Sequence, residues 1–303
     1  MNQHARAGLG YALFAYVFWG FLPIYLQLTR GIDGFELIGW RVLSSLVVAA
    51  ALVAATRGWL RLRTVLRSRR DTVTLVIAGH AVLINWTTFV VGVLSDRVLE
   101  TSLGYFLNPL VSVVLAVLFL GERLHPMQWV AVGFGALGVA VMIVGYGEVP
   151  WIGLIVALSF GVYGLIKKRV GGSVDALSGF TIETAVALPA SMVMLGVAVS
   201  LHGLTIGANG PVGIVAAAGF GIVTAIPLLA FAAATRRIPL TWVAFVQYLT
   251  PVMTFLFGAF VMHEPMPLER WIGFMLVWTS LVLVSIDAVG RRFRRPRPMP
   301  PAA

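Results

Sequence analysis

The chain has 303 residues, of which 59% are hydrophobic and only 11% carry a charge, and its net charge is +10. A soluble domain carries about 25% charged residues, so this composition excludes a protein whose surface lies mainly in water. It predicts a chain embedded in lipid. The lack of cysteine excludes disulfides and thiolate metal sites.

Ten apolar stretches are long enough to cross a bilayer as helices, which takes about 20 residues. In chain order they cover residues 8–28, 36–56, 73–94, 99–120, 126–146, 149–166, 176–200, 212–234, 240–262 and 267–287. They do not alternate polar and apolar residues as barrel strands do, so we predict an all-α membrane protein. The first stretch lacks a signal-peptide cleavage site, which favours a retained helix over a signal peptide.

The positions of the basic residues predict the orientation of the chain. With ten spans, 18 of the 22 Lys and Arg residues fall on the side of the N-terminus, chiefly in 57–70 and 291–297. Lys and Arg in excess mark the cytoplasmic side, so we predict both termini in the cytoplasm. We expect these residues to contact anionic lipid headgroups and not nucleic acid. The basic, proline-rich segment 288–303 is predicted to be a disordered cytoplasmic tail.

A shift of 142 residues aligns the two halves of the chain over a long stretch, and near the start a shift of 141 pairs Trp19-Gly20 with Phe160-Gly161. The matched pairs include Gly79 with Gly221, Leu107-Asn108-Pro109 with Leu249-Thr250-Pro251, Glu122 with Glu264, and Trp129 with Trp271. The pattern predicts a duplication with repeats at 8–146 and 149–287, although so few identities could also arise by chance. Each repeat holds five spans. Because five is an odd number, the second copy starts on the opposite side of the membrane and has the inverted orientation. Inverted repeats are typical of secondary transporters.

Two prolines occupy equivalent positions in spans four and nine, Pro109 and Pro251. Proline removes a helical hydrogen bond and crowds the preceding turn. Matched helix breaks in the two halves of a transporter point to its binding site, so both prolines are candidate hinges. A packing kink with no role in transport is the alternative.

Two charged residues lie inside predicted spans, Arg41 in span two and Glu183 in span seven, and they are 142 residues apart. A charge in the membrane costs about 2.5–3.5 kcal/mol and indicates a functional site. Arg41 could instead extend outward to the interface. Glu183 is the candidate for proton coupling, with a structural hydrogen bond to a neighbouring helix as the alternative.

Other polar and aromatic residues within the spans are candidates for the substrate path. They are Trp19, His80, Asn85, Trp86, Tyr105, Asn108, Gln247 and Tyr248. Each of them could serve only as an interhelical hydrogen-bonding or packing residue. Together they predict a lining suited to a moderately polar organic molecule.

The sequence contains no motif for nucleotide, metal or nucleophilic chemistry. There is no G-x-x-x-x-G-K-[ST] loop, and the five histidines are not spaced as metal ligands. We therefore predict no catalytic residues, no metal and no cofactor, and a protein that is not an enzyme.

One family resemblance rests on a long motif. The run Glu100-Thr101-Ser102-Leu103-Gly104-Tyr105-Phe106-Leu107-Asn108-Pro109-Leu110, preceded by Asn85-Trp86 and followed by Gly121-Glu122-Arg123-Leu124, resembles the RarD branch of the EamA drug/metabolite transporters. The stretch from Thr224 to Ala234, with Gln247-Tyr248 and Pro251, is similar to the same branch. One departure is Asp96-Arg97, where the branch has small polar residues.

This resemblance implies ten helices in two inverted repeats, in a bacterial cytoplasmic membrane. It also implies transport of small organic solutes by alternating access, and the branch name is associated with chloramphenicol sensitivity. We therefore expect a secondary transporter that exports a metabolite or drug. An uncoupled facilitator or channel is the alternative, and a membrane enzyme or signalling protein is disfavoured. The substrate, coupling ion and oligomeric state are not predicted.

Overall fold

The computed structural model describes residues 3–120, 126–170, 173–235, 237–238 and 246–294. The regular elements in these ranges are helices. They are α1 (Gln3–Gly20), α2 (Leu22–Gln27), α3 (Gly34–Ala55), α4 (Trp59–Arg67), α5 (Arg69–Leu94), α6 (Val98–Leu120), α7 (Pro126–Tyr146), α8 (Trp151–Val170), α9 (Ala176–His202), α10 (Gly210–Thr235), α11 (Leu249–Leu256), a π-helix (Phe257–Val261) and α12 (Leu268–Arg294).

Six stretches in the described part of the chain are helical, long and apolar enough to cross a membrane. They are Ala5–Gln27, Gly34–Ala55, Arg69–Leu94, Pro126–Gly145, Ala176–His202 and Gly210–Phe231. Two shorter apolar helices cover Trp151–Lys167 and Leu249–Val261. The chain is therefore a helical integral membrane protein, as the composition predicts.

Several helix boundaries differ from the predicted spans. The first span is interrupted at Phe21, and Pro23 lies in the first turn of α2, where its missing N–H is tolerated. The loop between spans two and three contains the short helix α4. The helical spacing of the Leu and Val residues in this segment could have indicated it. Helix α12 continues to Arg294, so the residues from 288 to 294 do not begin a disordered tail. Their sequence is free of proline until Pro296, which lies outside the described residues.

The two predicted proline hinges have different backbones. Helix α6 runs without interruption through position 109. At the equivalent position, the chain turns at Tyr248, and Pro251 is the third residue of α11, followed at residue 257 by the π-helix. The backbone is therefore irregular near Pro251 and regular near Pro109. Insertions of this π-helical kind often occur at functional sites.

The chain divides into two compact units. The larger unit, here called the core unit, comprises residues up to Asn108 together with 151–265, and the smaller one comprises 109–150 and the residues from 266 onward. Each unit contains residues from both predicted repeats. The division within α6 falls between Asn108 and Pro109.

In the core unit, glycine allows helix backbones to approach closely. A Cβ at Gly79 of α5 would lie 2.8 Å from the Glu183 carbonyl oxygen of α9. Its predicted counterpart Gly221 on α10 packs directly against the backbone of Ser44 on α3. Small residues of this kind mediate helix packing in membranes because apolar burial gives no preference for helix over lipid.

In the smaller unit, α7 and α12 pack along each other. A Cβ at Gly138 would lie 2.9 Å from the Gly273 carbonyl oxygen, and a Cβ at Gly273 would lie 3.1 Å from the Gly138 carbonyl oxygen. The Ser280 hydroxyl donates a hydrogen bond to the Ala131 carbonyl oxygen. This unit therefore uses reciprocal glycine contacts and a serine to hold its helices together.

Two buried glutamates of the core unit accept hydrogen bonds from backbone N–H groups, one in a loop and one at a helix end. Glu36 is fully buried and accepts hydrogen bonds from the N–H groups of Thr205 (2.7 Å) and Ile206 (3.0 Å). Glu264 accepts bonds from the N–H groups of Val98 (2.5 Å) and Leu99 (3.1 Å), at the start of α6. The first N–H groups of a helix lack partners within it, so the Glu264 carboxylate is stabilising at the start of α6. The equivalent predicted residue, Glu122, lies outside the described residues.

Candidate functional site

Arg41 lies in the centre of the core unit and not at its surface. The residue is 4% exposed, and its guanidinium carbon lies 4.5 Å from the ring centre of Trp86 and 5.4 Å from that of Phe220. Its Nε and Nη1 atoms have no hydrogen-bond acceptor among the described residues. Arg41 and Trp86 come from the first predicted repeat and Phe220 from the second. The side chain is therefore enclosed by aromatic rings and does not extend outward.

A polar cluster lies on the elements beside this arginine. The Tyr105 hydroxyl donates to Asn85 Oδ1 (3.2 Å), and Asn85 Nδ2 donates to Ser159 Oγ (3.2 Å) and to the carbonyl oxygen of Val156 (3.1 Å). Asn108 Nδ2 donates to the next carbonyl oxygen along α8 at 3.4 Å. Thus Asn85, Tyr105 and Asn108, three predicted candidates, converge on one turn of α8. Trp86 and Tyr105 also pack against the same apolar core.

Glu183 has an internal ion-pair partner. Its Oε1 lies 2.7 Å from Lys167 Nζ on α8, and its Oε2 accepts a hydrogen bond from the Tyr163 hydroxyl at 3.1 Å. The carboxylate is 5% exposed, whereas the Lys167 side chain is 32% exposed. The ammonium and the phenol both stabilise the ionised carboxylate. Lys167 directly follows the predicted span 149–166 and is not among the candidates chosen from charge inside a span, so sequence reasoning missed this pair.

A row of rings connects the polar cluster to the Glu183 ion pair. The ring of Tyr105 lies 6.1 Å from that of Phe160, which lies 5.8 Å from that of Tyr163. Aromatic side chains therefore run between the two sites along α8.

The other predicted path residues lie elsewhere. Trp19 packs with Tyr16 and Phe231 in a separate aromatic cluster. His80 is exposed, and its Nδ1 lies 2.8 Å from the Val76 carbonyl oxygen of its own helix. Gln247 and Tyr248 are half-buried just before α11. None of these four residues joins the cluster around Arg41.

The dipeptide Asp96-Arg97, at which the sequence departs from the RarD branch, forms ion pairs. Asp96 pairs with the exposed Arg30, and Arg97 pairs with Glu100 at 2.7 Å. Glu100 also accepts a hydrogen bond from the Ile152 N–H at 2.7 Å. The two residues therefore join the loop before α6 to neighbouring segments of the core unit.

A separate groove of about 530 Å³ lies between α2 and α10. Its walls are apolar apart from the Tyr25 hydroxyl, which donates to the Ala216 carbonyl oxygen at 2.5 Å. None of the predicted path residues lines this groove.

Charged and polar side chains enclosed within a helical membrane bundle indicate a functional site rather than a structural membrane anchor. The EamA-like transporter family matches this chain twice, over residues 6–144 and 149–286. The chain belongs to that family, and its relatives place it in the RarD branch. It is a membrane transporter and a multi-pass protein of the bacterial inner membrane.

The relatives cover nearly the whole chain. A protein named RarD from Streptomyces exfoliatus is 41% identical over 98% of this chain and 93% of its own length. An uncharacterized transporter, YojE, from Bacillus subtilis is 35% identical over 95% of this chain and 97% of its own length. A crystal structure with 17% identity superposes with a TM-score of 0.60, covering 96% of this chain and 99% of that one. This last likeness supports the fold alone.

Proposed function

We propose that the protein is a secondary active transporter that exports a small organic metabolite or drug by alternating access. Its ten helices form two inverted five-helix repeats, with both termini in the cytoplasm, and it performs no enzymatic reaction. The observation that carries the proposal is the position of Arg41. This buried cation is enclosed by rings from both repeats, as expected for a site on a pseudo-two-fold axis.

The family match to two successive segments supports the duplication, and the surplus of Lys and Arg on the N-terminal side supports the orientation. The division of α6 between two compact units at Asn108 and Pro109 supports Pro109 as one hinge. The turn at Tyr248 and the π-helix after α11 support a second hinge around Pro251.

Counterflow in vesicles tests the transport mechanism. Purified protein is first screened for thermal stabilisation by a metabolite and antibiotic library, because a ligand that binds the folded state raises its stability. A stabilising compound is then loaded inside proteoliposomes, and uptake of its labelled form is measured. Alternating access predicts faster uptake with unlabelled compound on the opposite side. A facilitator would give uptake that is independent of the internal compound.

Proton coupling through Glu183 is a separate proposal with its own test. Uptake of the same compound is compared with and without a pH gradient, in the wild type and in Glu183→Gln. Coupling predicts that the substitution removes the dependence on the gradient while counterflow persists. The exposed His80→Gln is the matched control and should behave as the wild type. An unchanged gradient dependence in Glu183→Gln would reject the role.

Anionic lipid headgroups are the proposed partners of the basic segment 57–70. Helix α4 places Arg61 and Arg63 beside two exposed apolar residues, Trp59 (51% exposed) and Leu60 (76% exposed). Such helices lie in the membrane interface and attract anionic lipid. Phosphatidylglycerol should therefore raise the melting temperature more than phosphatidylcholine. Replacing Arg61 and Arg63 by glutamine should reduce that difference.

A further inference from the structure

The guanidinium of Arg41 lacks a counter-charge within the described part of the core unit. Its predicted counterpart in the second repeat, Glu183, has both Lys167 and Tyr163 as partners. In the first span of each repeat the alignment shift is 141, so the residue equivalent to Lys167 is Leu26, a buried apolar side chain. The position that supplies an ion-pair partner in one repeat thus supplies none in the other.

The buried carboxylates of the core unit have other partners. These are Glu36 with the N–H groups of Thr205 and Ile206, Glu100 with Arg97 and the Ile152 N–H, Glu183 with Lys167 and Tyr163, and Glu264 with the N–H groups of Val98 and Leu99. Among the described residues, no acidic side chain forms an ion pair with Arg41.

Arginine cannot relieve this situation by losing its proton, because the guanidinium stays charged in proteins. The faces of Trp86 and Phe220 compensate part of the charge through cation–π attraction. Rings do not supply hydrogen-bond acceptors, however, and Nε and Nη1 remain without any. A buried charge without an acceptor is strongly unfavourable, so an acceptor that is not among the described residues is expected to complete the site.

We propose that Arg41 binds the carboxylate of the transported solute, so that the substrate class is small organic carboxylates. This inference rests on the proposed transport function and adds the chemical class of the cargo. The carboxylate accepts hydrogen bonds from the guanidinium, and the apolar part of the solute packs on Trp86 and Phe220. The nearby Tyr105 and Asn85 provide polar groups beside it.

Binding of matched probes tests the inference. Phenylacetate and hexanoate are compared with their neutral amides, phenylacetamide and hexanamide, by the thermal stability of the purified protein. We expect at least one carboxylate to stabilise the wild type and its amide to have a much smaller effect. Charge-assisted hydrogen bonds are worth about 1.5–3 kcal/mol, so Arg41→Gln should raise the apparent Kd of that carboxylate roughly 10- to 100-fold. The apparent Kd of the Arg41→Lys protein should lie between those of the wild type and Arg41→Gln.

Arg30→Gln is the matched control, because Arg30 is exposed and pairs with Asp96. It should bind the carboxylate as the wild type does. Arg41→Gln should keep its melting temperature without ligand, since the substitution removes an unpaired buried charge. If Arg41→Gln instead fails to fold, Arg41→Lys with the same probes decides the question.

Three results would overturn the inference. These are no stabilisation by either carboxylate, equal stabilisation by carboxylate and amide, and unchanged carboxylate affinity in the Arg41 variants. Counterflow separates this failure from that of the transport proposal. Exchange of amides but not of carboxylates would refute the carboxylate site and leave transport standing. Arg41-dependent binding without counterflow would support the site and refute alternating access.

Discussion

Replacing Lys167 by methionine is expected to destabilise the fold more than replacing its partner Glu183 by glutamine. The carboxylate is 5% exposed, and without Lys167 it keeps only the Tyr163 hydroxyl as a donor. Breaking a buried ion pair in this way costs about 3–5 kcal/mol. In Glu183→Gln the remaining ammonium is about one-third exposed and can reach water, and the amide oxygen can still accept from Tyr163. We therefore expect a cost of about 1 kcal/mol for that variant.

The double variant isolates the interaction. Lys167→Met with Glu183→Gln leaves no unpaired charge, so its stability should lie close to that of Glu183→Gln alone. The two single costs should thus be non-additive by about 3–5 kcal/mol. Reversible unfolding in detergent, without ligand, measures the free energies. A larger loss for Glu183→Gln than for Lys167→Met, or additive losses, would refute the ion-pair reasoning.

Three further substitutions test the packing, the buried carboxylates and a helix cap. Gly221→Ala should cost about 1–3 kcal/mol of stability, because the added methyl group would collide with the backbone of Ser44. Gly164→Ala is the control and should cost nothing, because the space around Gly164 is open. Melting temperatures of the two variants test the difference. Glu36→Gln should lower the free energy of unfolding by about 3 kcal/mol, because the amide nitrogen of glutamine would face the N–H donors of Thr205 and Ile206. Asp96→Asn is the control and should lower it by under about 1 kcal/mol, because Asp96 belongs to an exposed ion pair. Asp175→Ala should cost about 1 kcal/mol because it removes the N-cap of α9, and Asp175→Asn should retain the cap. Burial raises the pKa of Asp175, but hydrogen bonds from Ser178, the charge of Arg61 and the Leu177 N–H together outweigh burial and lower the pKa. The ionic part of this contribution is therefore present above the ordinary aspartate pKa and is lost as pH falls through the lowered value. Equal losses in the alanine and asparagine variants at neutral pH would contradict the capping role.

The helical membrane class could be predicted from sequence because it depends on composition and on the length of apolar runs. Boundaries were less predictable where local chemistry and tertiary contacts compete. The run 8–28 is continuous in hydropathy, yet its helix breaks at Phe21 beside Pro23. The basic segment 57–70 lies outside the predicted spans because its many arginines lower the hydropathy of the segment. Helix α4 nevertheless has an apolar face, on which Val65 is buried.

The candidate site was predicted in part. Charge in a span made Arg41 and Glu183 candidates, and polar character within a span did the same for Asn85, Tyr105 and Asn108. The fold buries all of these except Tyr105, which is half-buried. The aromatic partner of Arg41 from the second repeat could not be recognised from the local sequence pattern. Phe220 is one of many apolar residues in its helix, and only long-range packing brings its ring to a cation 179 positions earlier in the chain.

The duplication also explains why sequence alone could not separate the two buried charges. Arg41 and Glu183 occupy equivalent positions and appear equally anomalous in an apolar span, so pattern and hydropathy rank them alike. What distinguishes them is the residue at the second equivalent position, Leu26 in one repeat and Lys167 in the other. One copy thereby completes its own ion pair, and the other keeps a cation whose acceptor we propose to be the cargo. An inverted pair of repeats thus becomes chemically asymmetric through a single difference, because the position that carries leucine in one copy carries lysine in the other.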